Sequence, residues 1–266
     1  MALIIDFLLY LVLGSAAGLL AGMLGVGGGL IIVPALAFSF SHLSFNQQQI
    51  MPLALATSLA TIIITSISSI RAHQKKQAIL WPLFKKLSPT ILIGAFLGGL
   101  IATYLPSTGL RIFFATYATL VAIQLYLGKQ PTEGRNNYST ASTAVAGITI
   151  GSISSIVGIG GGSMTVPYLL WNGTSIRNAV ATSSAIGLPI AIAGVIGYLS
   201  RSYQLDHLPA YSLGYIYLPA FFGIIVSSSL LAPVGAKLAH QLPVDTLKKF
   251  FAVMMLIIGL KMFFSL

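Results

Sequence analysis

A chain of 266 residues that is 56% hydrophobic and only 7% charged carries too little polar surface for a soluble domain, in which about a quarter of residues are charged. Its net charge of +10 sits in short clusters between apolar runs. Retention of those clusters on the cytoplasmic side explains them and argues against a nucleic-acid partner. Cysteine is absent, which excludes a disulfide framework and a thiolate metal site.

The first apolar element covers 2–23, and Asp6 is the only charge in residues 1–24. With no Lys or Arg ahead of its apolar run, this segment is not expected to be a cleaved signal peptide. A short element follows at 30–40, then longer ones at 50–70, 88–105 and 110–128. The polar stretch from Lys129 to Tyr138 reads as a linker. Beyond it come 140–158, a short 163–171, then 179–199, 212–236 and 247–265. Several of these reach the roughly 18–20 residues that a membrane helix needs. The short ones do not: eleven helical residues rise about 16 Å, against a hydrocarbon core of about 30 Å. They are expected to be half-length helices.

The two series are copies of one another. GMLGVGGGLIIVP, from Gly22 to Pro34, returns as SIVGIGGGSMTVP, from Ser155 to Pro167. Ala56-Thr57-Ser58 returns as Ala181-Thr182-Ser183, and YLPSTGLRIFF, from Tyr104, returns as QLPVDTLKKFF, from Gln241. An internal duplication explains all three. The sequence therefore predicts an all-α polytopic membrane protein of two homologous halves, 1–128 and 139–266, joined by the linker 129–138. Each half holds a Gly-broken helix and a half-length helix. If every element crosses, each half makes five passes and the second half is inverted. That arrangement gathers eleven of the 14 Lys and Arg on one side, against nine for parallel halves with re-entrant short arms. The positive-inside rule favours inverted-topology repeats, an architecture frequent in secondary transporters.

Three consecutive glycines, each about 1 kcal/mol poorer than alanine in a helix, unwind the chain. Irregular backbone deep in a bilayer survives only when it is buried in protein or lines a cavity. Pro34 and Pro167 disturb the turn that follows each break. Bare amides at a helix start bind anions, so Gly25, Gly27, Gly28 and Gly29 with Gly158, Gly160, Gly161 and Gly162 are the expected substrate-binding backbone. Two breaks related by duplication would present two such helix ends to one site. Gly14, Gly18, Gly94, Gly98, Gly99 and Gly147 fit close helix packing instead. Thr57, Ser58, Thr182 and Ser183 offer hydroxyls to an anion or back to their own helices. Arg177 reads as a topology anchor or, with Pro34 and Pro167, as part of gating or anion attraction. His42, His73, His207 and His240 form no ligand spacing, so neither metal nor cofactor is expected. Glu133, Asp206 and Asp245 fall in loops, and Asp6 lies near a helix start. No carboxylate is therefore expected within the membrane for cation coupling. Neither a phosphate loop nor a catalytic constellation is present, so no enzymatic activity is expected.

These residues carry a family resemblance. GVGGGLIIVP, GIGGGSMTVP, ALATSLATI, AVATSSAI and the closing stretch from Gly214 to Phe263 resemble the TauE/SafE family of sulfite exporters and sulfonate permeases. The resemblance implies a bacterial inner-membrane transporter whose partners are the lipid bilayer and a small anion such as sulfite or an organosulfonate. It leaves open a homo-oligomer, the direction of transport and its coupling. An anion channel and a non-transporting membrane scaffold are the alternatives. A pore would show much larger unitary flux, and a scaffold would move no anion at all.

Overall fold

The computed structural model describes residues 2–24, 28–127, 139–202, 208–239 and 244–264. The linker and Gly25 and Gly27 lie outside the described residues. Ten α-helices are seen among those described. They are α1 (Ala2–Leu24), α2 (Gly29–His42), α3 (Gln47–Lys75), α4 (Trp81–Ala102), α5 (Ser107–Leu127), α6 (Thr140–Val157), α7 (Gly162–Trp171), α8 (Ile176–Leu199), α9 (Leu218–Ala239) and α10 (Val244–Phe264). The short elements are short helices, α2 with 14 residues and α7 with 10, and each begins directly after a glycine break.

One apolar run behaves differently from the sequence expectation. Residues 212–217 do not open α9 but form a small antiparallel hairpin, β1 (Ser212–Leu213) and β2 (Ile216–Tyr217). Tyr211 and Gly214 both take positive φ, 65° and 55°, which a helix cannot accommodate. The Tyr-Ile-Tyr segment is also β-prone. The hairpin dips into the core. The Tyr217 ring meets Phe40 and Phe45 edge-on, with centroids 5.4 and 5.3 Å away, and Tyr10 at 6.3 Å.

Among the described residues four helices, α3, α4, α5 and α8, are long and apolar enough to cross a membrane. α3 and α8 form the centre: Ile50 to Ala60 on one, and Ala181 to Ala191 on the other, are mostly inaccessible. α4 and α5 turn large apolar residues outward, including Ile93, Ile101, Leu120 and Tyr126. Such a face has no place in water and suits lipid. The described chain is thus a multi-pass helical membrane protein.

Helix contacts come in matched pairs. α1 packs along α9, and α6 packs along α4. Gly14 and Gly18 of α1 lie against the backbone of Ile224 and Ser228. Gly147 and Gly151 of α6, each 133 positions later, lie against Thr90 and Ile91 of α4. Along the second pair, Gly94 meets Ile148 and Gly98 meets Ser152, so α4 and α6 run in the same direction. A methyl group at any of these glycines would strike the facing helix, which is why glycine stands there.

The central pair runs the other way. Gly194 of α8 faces Leu59, whereas Gly187 faces Ser66, so α3 and α8 are antiparallel. Their ends agree. The Arg177 guanidinium, at the start of α8, donates to the carbonyl of Lys76, just past the end of α3, at 3.3 Å. Arg201, just past the end of α8, lies 4.0 Å over the ring of Tyr104, just past the end of α4.

Candidate functional site

The two glycine breaks touch. α2 doubles back along α1, and the Tyr10 hydroxyl meets that of Ser39 at 3.0 Å. Of the first glycine triplet, between α1 and α2, Gly28 and Gly29 are described. A Cβ built on Gly29 would lie 2.5 Å from the Gly158 carbonyl and 3.0 Å from the Cα of Ile159. Only glycine permits this approach of one break to the other.

Each break is built the same way at its exit. Gly28 precedes α2 with φ 71°, and Gly161 precedes α7 with φ 75°, the left-handed region that glycine enters without penalty. No side chain caps either helix. The first hydrogen bonds from inside the helices are Ile31 N–H to Gly28 O at 3.0 Å and Met164 N–H to Gly161 O at 3.1 Å. The amides of Gly29, Leu30, Gly162 and Ser163 precede these donors and have no partner within their helix. Pro34 and Pro167 lie inside α2 and α7. Having no N–H, they also release the carbonyls of Leu30 and Ser163. Gly28, Gly29, Gly158, Gly160, Gly161 and Gly162 are all buried.

Entry to the second break follows a different rule. α6 closes on Gly158, at φ 73°, with Ile159 N–H donating to Ser154 O at 2.9 Å and Gly158 N–H to Ser155 O at 3.2 Å. This is a Schellman termination. Four residues later the chain enters α7, so the break is a short, ordered excursion with a defined path. The Gly158 carbonyl accepts the Ser58 hydroxyl at 2.8 Å. The Ala-Thr-Ser motif of the first half thereby grips the glycine break of the second.

The threonines of the two motifs perform one task twice. The Thr57 hydroxyl accepts the N–H of Tyr217, the residue before α9, at 3.0 Å. It also lies 3.5 Å from the Tyr215 carbonyl. The Thr182 hydroxyl accepts the N–H of Leu80, the residue before α4, at 3.0 Å. Each threonine thus fixes the entry to a long helix, α9 or α4. Those hydroxyls are committed to backbone. Ser183 is fully buried, and its hydroxyl has no partner among the described residues. Arg177 is exposed and bound to the Lys76 carbonyl at the end of the bundle.

Two further residues escape the sequence reading. Ser154 and Thr165 are completely buried, and neither hydroxyl has a partner among the described residues. Both point at Gly161: a Cβ there would be 3.4 Å from the Ser154 hydroxyl and 3.3 Å from that of Thr165. Next to them the Ser163 hydroxyl pairs with that of Tyr117 of α5 at 2.6 Å. No Lys, Arg, Asp or Glu is buried among the described residues. The polar groups around the breaks are therefore neutral.

Broken helices that expose backbone amides inside a multi-pass helical bundle define a class, that of solute-handling membrane proteins. The comparisons with known proteins agree. The model of the sulfite exporter TauE/SafE family matches residues 10–262, and the chain belongs to that family. It is 37% identical to a probable membrane transporter protein of Haemophilus influenzae, over 96% of this chain and 97% of the relative. A probable membrane transporter protein of Methanocaldococcus jannaschii is 26% identical over 96% of this chain and 94% of its own length. Another, YdhB of Bacillus subtilis, is 26% identical over 93% and 96% respectively. The family and these relatives are membrane transporters, not enzymes.

Proposed function

We propose that the chain is a secondary transporter of small sulfur-containing anions, such as sulfite or organosulfonates, in the bacterial inner membrane. The cargo binds between two halves, 1–128 and 139–266, that are inverted repeats. The direct contact of Gly29, at the start of α2, with Gly158 and Ile159, which precede the start of α7, carries this reading, because it sets the two breaks against one another. Helix starts favour negative charge. The absence of a buried charged side chain among the described residues supports a cargo that is itself the charged partner.

Inversion is supported by the antiparallel course of the corresponding helices α3 and α8. It is supported again by Arg177 at the Lys76 end of the bundle and Arg201 at the Tyr104 end. Ser58, Thr57 and Thr182 serve the site indirectly, by fixing the breaks and the helices beside them. Export of a monoanion follows the inside-negative potential, worth about 2.3 kcal/mol per charge per 100 mV, so efflux needs no coupling carboxylate.

The test is flux of sulfite and small sulfonates into liposomes containing the purified protein. Saturable uptake is expected, abolished by Gly28→Leu and by Gly161→Leu in protein that remains folded. Unchanged transport by both variants refutes the site.

A further inference from the structure

The two glycine breaks match in backbone but not in side chains. In the second half, Ser154 and Thr165 flank the break; the aligned positions of the first half are Ala21 and Ile32. Ile32 is buried against the core, as is Leu30, the counterpart of Ser163. The second half therefore carries hydroxyls at two positions where the sequence of the first half has alkyl groups.

Resting on the transporter reading above, we propose that Ser154 and Thr165 form the polar anchor of the cargo. The substrate is held asymmetrically, in the second half, as a singly charged oxyanion. Buried hydroxyls in native proteins nearly always have partners, and leaving one unpaired is costly. Here two of them, on different helices, converge on one point beside an uncapped helix start. Thr165 sits one turn into α7 and could have returned its proton to the Gly161 carbonyl, as helical threonines commonly do. Its amide bonds that carbonyl, at 2.8 Å, but its hydroxyl does not. Both hydroxyls are available as donors.

The donor set also defines the ligand. Two hydroxyls and the first amides of α7 can hold two or three oxygens of an anion, with neither a guanidinium nor an ammonium beside them. Neutral donors compensate the desolvation of one charge far better than that of two, since that cost rises steeply with charge. The δ-methyl of Ile190 closes the space above Gly161. A tetrahedral anion with three oxygens and one apolar substituent matches this lining: oxygens toward the hydroxyls and amides, alkyl toward Ile190. A dianion presents a fourth charged oxygen to a methyl group. Only the end of the Ile190 side chain stands there, and its rotation would admit the ligand.

The experiment is equilibrium binding of methanesulfonate, sulfite and sulfate to the purified full chain in detergent, with unfolding midpoints measured in parallel. Wild type is expected to bind methanesulfonate and to ignore sulfate. Ser154→Ala and Thr165→Val should each weaken methanesulfonate about tenfold or more, the value of a hydrogen bond to a charged group. Their ligand-free midpoints should stay level or rise, because each removes an unpaired buried hydroxyl. Thr165→Ser should restore binding to within about threefold of wild type, by keeping that donor. Ser228→Ala removes another buried, unpartnered hydroxyl, on the α1–α9 face, and should change nothing. Wild-type affinity in Ser154→Ala and Thr165→Val, alongside lost binding in Gly161→Leu, would overturn the anchor while leaving the site at the breaks intact. Equal losses in Thr165→Ser or Ser228→Ala would assign the effect to packing and overturn it too. Sulfate binding as tight as methanesulfonate would overturn the single-charge selection. A wild type that binds none of the three would overturn both the anchor and the transporter reading.

Discussion

Gly158→Ala should destabilise the protein more than Gly161→Ala, although both glycines have nearly the same φ, 73° and 75°. A left-handed conformation costs an alanine about 1–2 kcal/mol at either site. The surroundings then separate them. At Gly158 the new methyl would sit 2.9 Å from the Leu55 side chain, 3.0 Å from that of Val33 and 3.1 Å from the Cα of Leu55. Backbone at the centre of α3 cannot step aside, so overpacking adds about 1–3 kcal/mol. The total comes to about 2–5 kcal/mol. At Gly161 the tightest neighbour is the end of the Ile190 side chain, which can rotate. There the cost stays near the backbone strain alone, about 1–2 kcal/mol. Denaturant unfolding in mixed micelles, followed by circular dichroism, reads the difference. Transport should rank the other way relative to stability, because the Gly161 methyl enters the space between Ser154 and Thr165. Equal stability of the two variants, or a less stable Gly161→Ala, would refute the packing described at the breaks.

Thr57→Val and Thr182→Val each strand a backbone amide, that of Tyr217 or of Leu80, and should lose about 1–3 kcal/mol, whereas Thr57→Ser and Thr182→Ser retain most of it. The same unfolding titrations check this. Ser58→Ala frees the Gly158 carbonyl and should lower flux while costing about 1 kcal/mol of stability, measured in liposomes and micelles respectively. The native chain has no cysteine, so single cysteines report sidedness directly. Lys76→Cys and Arg177→Cys should be labelled from one side of the membrane by an impermeant maleimide, and Tyr104→Cys and Arg201→Cys from the other. Labelling of positions 76 and 177 from opposite sides would dismiss the inverted arrangement.

Most of the fold was legible because membrane helices announce themselves as uninterrupted apolar runs, and the duplication located each one twice. The hairpin at 212–217 was hidden by the same signal. Its Tyr, Leu and Ile residues continue the apolar run, and hydropathy does not register the positive φ of Tyr211 and Gly214. The glycine breaks were legible as contiguous residues that no packing motif requires. The role of Thr57 was not, because its partner Tyr217 is 160 residues away and lies in that same unforeseen hairpin. Ser154 and Thr165 were overlooked for a related reason. Comparison of the halves draws attention to what they share, and these two hydroxyls stand where the halves differ. Their burial, their unpaired state and their convergence on Gly161 together single them out.

A structure of the full chain determined with bound methanesulfonate tests the central claim most directly. Density for the sulfonate is expected within hydrogen-bond reach of the Gly162 and Ser163 amides, between the two glycine breaks. A sulfonate resolved elsewhere in the bundle, with both breaks closed and dry, would contradict it.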